Sequence, residues 1–239
     1  MEGTRAMAAK GGRTPIVSTP DGWGARLAAL SGIAFVGLLV ASIIVSDPNR
    51  DATQTVSPTQ PAATLAQVLG ARQDATRLGA YLGLLSIVAL LWFLAVLRRH
   101  LARAEGEDGF LAAAAHGGGL VLAGVLTAGV GYQLAMEVLG DYGSDPVVAK
   151  TLVVLTWDHL AVVAAPVAVL VGATSAASLC CAALPRWLGW GGVPVALVLL
   201  TPTFVTGAAG YLAGLLGFFA WTLATAVVLA RGAAAPVRK

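Results

Sequence analysis

Residues 78–100 read LGAYLGLLSIVALLWFLAVLRRH. No charge interrupts Leu78 to Leu97, and the run ends on Arg98-Arg99-His100. At about 1.5 Å per helical residue it spans about 30 Å, the thickness of a bilayer's hydrocarbon core. The apolar residues are continuous rather than alternating, which favours a spanning helix over a barrel strand.

Similar runs occur at 27–46, 110–138, 151–182, 188–206 and 211–230. The expected fold is all-α, a polytopic membrane helix bundle of about six transmembrane helices. Residues 25–231 would form the transmembrane domain. Residues 1–24, with Gly, Thr, Pro and scattered charge, would be a disordered cytoplasmic tail, and 232–239 a second cytoplasmic tail. The fourth run is longer than one crossing needs and is expected to tilt, project or bend at Pro166. Residues 62–77 read as an amphipathic lead-in to the second span, and Gly207 to Gly210 as a turn between the fifth and sixth.

Composition agrees. Hydrophobic residues make up 57% of the 239, charged residues 11%, and the mean hydropathy is +0.80. Soluble domains carry about 25% charged residues. The net charge of +3 does not signal a nucleic-acid partner, because the basic residues sit at the ends of the apolar runs. Eleven of the fifteen Lys and Arg fall on the N-terminal tail, the 98–108 loop, the turn at Arg186 and the C-terminal end. The other four, Arg50, Arg72, Arg77 and Lys150, share the opposite loops with acidic residues. The positive-inside rule then puts both termini in the cytoplasm and the chain in the plasma (cytoplasmic) membrane. The first run reads as a retained span rather than a cleaved signal peptide, since about two dozen polar and small residues precede it.

Several segments carry a resemblance: Arg26-Leu27-Ala28-Ala29-Leu30-Ser31-Gly32-Ile33-Ala34-Phe35, Gly79-Ala80-Tyr81-Leu82 with Leu91-Trp92-Phe93-Leu94, Arg103-Ala104-Glu105-Gly106, and Leu184-Pro185-Arg186-Trp187-Leu188-Gly189-Trp190. Through them the chain resembles a group of uncharacterised actinobacterial multi-pass membrane proteins, those of the domain of unknown function 4386 family. The resemblance covers nearly all of the apolar region and implies a compact six-helix bundle. It implies no activity, substrate or catalytic residue.

Asp158, in Thr156-Trp157-Asp158-His159, is the sharpest candidate for chemistry. A carboxylate at mid-membrane costs about 2.5–3.5 kcal/mol on insertion scales, so it calls for a partner or for water. It shares a helical face with Ala161, Ala165, Ala168 and Gly172, which points it into the bundle. Arg77, His159 or Tyr132 could pair with it structurally. Alternatively, Asp158 with His159, Tyr132, Gln133 and Glu137 could form a polar cavity for a proton or small solute. The third run carries small residues at spacing four: Ala115, Gly119, Ala123, Thr127, Gly131 and Ala135. They are expected to pack closely against another helix, with a dimer seam as the alternative.

Three histidines at scattered levels do not make a haem site, and the adjacent Cys180 and Cys181 make no zinc pattern. No cofactor or metal is expected, and no constellation suggests an enzyme. The expectation is a membrane protein that binds or moves a small solute or proton. The alternative is an interaction or regulatory subunit, with a homo-oligomer or membrane partner left open.

Overall fold

The structure is a computed structural model that describes residues 21–47, 61, 63–64, 73–106, 109–141, 146–201 and 203–232. The expected N-terminal tail before Asp21, the C-terminal tail from 233 and most of the lead-in at 62–77 lie outside the described residues. Among the described residues six long helices follow one another: α1 (Asp21–Ser46), α2 (Gln73–Glu105), α3 (Phe110–Asp141), α4 (Pro146–Cys180), α5 (Arg186–Leu200) and α6 (Thr203–Gly232). The chain is an all-α helical bundle, and four of its helices, α2, α3, α4 and α6, are long and apolar enough to cross a membrane. Leu30–Ser46 and Arg186–Leu200 are shorter apolar helical stretches.

Each helix packs on its neighbours in sequence, and α6 closes back onto α1, so the bundle is a ring. The contacts fix an antiparallel register. Ser42 of α1 lies against Gly79 of α2, Gly83 of α2 against Val130 of α3, and Gly118 of α3 against Leu170 of α4. Gly189 of α5 meets Leu179 of α4, Gly217 of α6 meets Val195 of α5, and Gly32 of α1 meets Ala226 of α6. One end of the bundle therefore gathers the start of α1, the α2–α3 and α4–α5 turns and the end of α6. It carries Arg98, Arg99, Arg103, Arg186 and Arg231, and is called the basic end below.

Helix α2 shows why this sequence makes a membrane bundle. Gly79, Gly83, Ser86, Leu90, Phe93 and Leu97 are buried on one face. Leu78, Tyr81, Leu85, Val88 and Trp92 are exposed on the other, Trp92 by 61%. Both sets follow the 3.6-residue period, so the helix has two apolar faces and only one meets protein. An outward apolar stripe of that length suits lipid and would be a liability in water.

Three helix boundaries differ from the expectation. Helix α1 begins at Asp21, inside the segment expected to be disordered. Helix α5 stops at Leu200 rather than near 206, and Thr201 is extended at φ −74°, ψ 126°. The physical reason is Pro202, whose ring clears the helical region for the residue before it. Helix α6 then starts at Thr203, so 207–210, expected to be a turn, is helical. By contrast Pro166 does not interrupt α4, which runs to Cys180.

At the basic end the α2–α3 turn is tied by its own residues. Gly106 and Gly109 take φ of 84° and 51°, left-handed values that cost glycine little. Glu105, the last residue of α2, accepts bonds from Leu111 N at 3.1 Å and Ala112 N at 3.2 Å. A carboxylate thus caps the start of α3, where free amides and the helix dipole favour negative charge.

Candidate functional site

A ring of six helices leaves an axis that side chains must fill. Toward the basic end they fill it. Phe35, Phe93, Phe218, Leu94, Leu97, Leu122 and Leu170 are fully buried. Glycines there let backbones touch: a Cβ on Gly118 would lie 2.9 Å from Leu170 N and 3.0 Å from Pro166 O, and one on Gly119 would fall on the Leu94 side chain. Trp221 Nε1 donates to Leu188 O at 3.2 Å beside Gly192, next to the buried Ser175 hydroxyl.

Toward the other end the filling is incomplete. A cavity of about 130 Å³ lies between α1, α2, α3, α4 and α6. Phe35 and Phe218 close it on the basic side, their rings meeting edge to face at 6.2 Å. Leu122, Leu126, Val163 and Leu215 form apolar wall, and Ser42, Ser86, Thr156, Gln133 and Tyr211 bring polar groups.

Three of those polar groups are already engaged. Ser42 Oγ donates to Gly79 O at 2.7 Å, Ser86 Oγ to Gly83 O at 2.6 Å and Thr156 Oγ1 to Leu152 O at 2.9 Å. Each hydroxyl proton is committed to a helix carbonyl, so the wall that remains is mainly hydrocarbon. Gln133 Oε1 is buried without a hydrogen-bond partner. The cavity's volume is close to the about 150 Å³ of an engineered apolar void that admits benzene or xenon.

The sequence candidates are distributed as follows. The backbone of Asp158 and His159 lies in α4, two and three residues beyond the cavity-lining Thr156. Their side chains, and that of Glu137 in α3, lie outside the described residues. On the face assigned to Asp158, Ala161 and Ala165 are exposed and Ala168 is buried, so that face turns inward only nearer the basic end. Arg77 is exposed near the start of α2, and Tyr132 is half-buried beside Gln133 on α3.

The four-residue stripe on α3 divides. Ala115, Gly119 and Ala123 are buried, whereas Thr127 and Gly131 are exposed, and nothing lies within 4 Å of a Cβ placed on Gly131. Each four-residue step overshoots a 3.6-residue turn by about 40°, so the stripe slides from the core to the periphery. Thr127 Oγ1 bonds back to Ala123 O at 2.8 Å within α3. Close packing was expected along the whole stripe. At Gly131 the geometry corrects that, and Gly118, one position off the stripe, makes the tightest backbone approach.

Sequence reasoning missed Ser42, Ser86, Tyr211 and Phe218 as cavity residues. One usable signal was Ser42 and Ser46 on the first run with Gly79 and Gly83 on the second, small residues at spacing four on adjacent helices. No protein-family model, curated protein or solved structure matches this chain.

Proposed function

We propose that this chain is a six-span plasma-membrane protein that binds a small, largely apolar solute in the cavity between α1, α2, α3, α4 and α6, as a step in carrying or sensing it. The cavity itself carries this reading. Its serine and threonine hydroxyls are spent on helix carbonyls, so an ion would find little solvation from them, whereas a hydrocarbon group would lose nothing. The six-span count is supported by direction: α4 and α6 both run toward the basic end, so α5 must return between them. The charge bias supports cytoplasmic termini. Kinship with the domain of unknown function 4386 family belongs to the same proposal and rests on the segments quoted above.

The test is ligand-dependent melting of the purified chain in detergent. Benzene and toluene are expected to raise the melting temperature of the native chain and to leave Val163→Phe, which fills the cavity, unmoved. Equal shifts in both would place the solute in the detergent-facing surface and defeat the reading.

A second reading, an interaction or regulatory subunit, is favoured by the outward glycines of α3. Gly117, Gly124 and Gly131 recur every seven residues with open space beside each. A single-molecule count of labelled chains in vesicles separates the two: a stable dimer lost in Gly124→Leu supports a packing partner, and monomers throughout remove it.

A further inference from the structure

Helix α4 ends at Cys180, and a second cysteine, Cys181, follows it directly at the basic end. Cys180 is exposed and Cys181 partly so, and their Sγ atoms lie 3.1 Å apart. Consecutive helical residues project about 100° apart, which normally separates their side chains. Here the helix stops at Cys180, and Ala182 takes φ 52°. The turn is held on both sides. Cys181 N donates to Ala177 O at 3.0 Å and Ala183 N to Ala177 O at 3.4 Å, while His100 Nε2 of α2 lies 2.8 Å from Ala183 O. The two sulfurs therefore face each other in a braced turn at the basic end of the bundle.

We propose that Cys180 and Cys181 form a two-sulfur site for a soft, thiophilic trivalent ion of the arsenite class. A disulfide is the poorer use of the pair. Adjacent Cα atoms are about 3.8 Å apart across a trans peptide, below the roughly 4.4–6.8 Å that disulfides span. One ion bonded to both sulfurs at about 2.3 Å holds them about 3.3–3.7 Å apart for ordinary bond angles, close to the spacing already present. Zinc would need further ligands, and no group of three or more His, Cys, Asp or Glu that could hold a metal occurs among the described residues. Trivalent arsenic needs only two thiols and a hydroxyl. The step balances as As(OH)₃ plus two thiols giving a dithioarsenite that keeps one hydroxyl, with two waters released and no change of oxidation state.

The test uses phenylarsine oxide on the full chain in detergent, where each adduct forms two As–S bonds and releases one water. Cys180 and Cys181 are the only cysteines in the chain, so no other thiol competes. Intact-mass analysis is expected to find one adduct per folded chain, stripped by dimercaptopropanol and resistant to the same concentration of mercaptoethanol. Cys180→Ser and Cys181→Ser should each weaken retention at least 100-fold. Retention unchanged in either variant, or release by the monothiol, overturns the site. Equal retention by the urea-unfolded chain overturns it as well, because the proposal depends on the braced turn. The monothiol comparison needs no variant, so it decides even if a substitution fails to fold.

Discussion

Ser42 donates its hydroxyl proton to the carbonyl of Gly79 at 2.7 Å, from α1 across to α2. A Cβ on Gly79 would lie 2.7 Å from Ser46 Cβ and 3.3 Å from Ser42 O. The bond and the approach depend on each other, since only a side chain as small as serine opposite a glycine lets a hydroxyl reach a carbonyl on the next helix. Ser42→Ala is expected to cost about 0.6 kcal/mol, the usual worth of an interhelical hydrogen bond in a membrane. Gly79→Val should cost more, about 1–3 kcal/mol, as overpacking does. Thermal melts in one detergent check the order, and a reversed order would mean the approach is not the governing contact.

The glycines of α3 separate two surfaces. Gly118→Ala should destabilise by about 1–3 kcal/mol, because the added methyl meets the α4 backbone at Leu170 N and Pro166 O, which cannot swing aside. Gly131→Leu should fall within about 0.5 kcal/mol of the native chain, as substitutions away from packed features do. Denaturation in mixed micelles reads both. A large loss at Gly131 would place that face in a contact outside the ring.

The cap on α3 gives a third expectation. Glu105→Ala removes the acceptor for Leu111 N and Ala112 N and should cost about 0.5–2 kcal/mol, while Glu105→Gln keeps an oxygen and should lose less. Hydrogen exchange at the first turn of α3 should rise in the same order. Unchanged protection in Glu105→Ala would show that the cap is dispensable.

Much of this fold was legible because membrane helices announce themselves through composition. The run from Leu78 to Leu97 needs no tertiary information, and its basic stop marks the same end of the bundle as Arg186 and Arg231. The α5–α6 junction was misread because Pro202 sits inside an unbroken apolar stretch; hydropathy does not register the extended backbone it imposes on Thr201. The small-residue stripe is read at period four, whereas the helix turns at 3.6, so Thr127 and Gly131 face outward. The cavity was not legible, because it arises where five helices fail to fill a shared axis, and no single run encodes that. Gln133 was picked out as polar near a membrane end, but Ser42, Ser86 and Tyr211 meet it only through folding.

The proposed topology rests on the charge bias and is tested by labelling. Single cysteines in place of Asn49 and Gly106, in a background with Cys180→Ser and Cys181→Ser, should be reached by an impermeant maleimide from opposite sides. Asn49 is expected outside and Gly106 inside. Labelling of both from one side, or the reverse assignment, would contradict cytoplasmic termini.

The cavity between α1, α2, α3, α4 and α6 is of a size that admits a small apolar guest. Xenon exchange followed by ¹²⁹Xe NMR tests it on the purified chain, because xenon enters apolar cavities of about this volume. The native chain and Gly131→Leu should give a bound-xenon signal distinct from xenon in detergent alone, and Val163→Phe and Leu126→Phe, both with side chains in the cavity wall, should each abolish it. A bound signal that survives both fillings, or none in the native chain, would contradict the account.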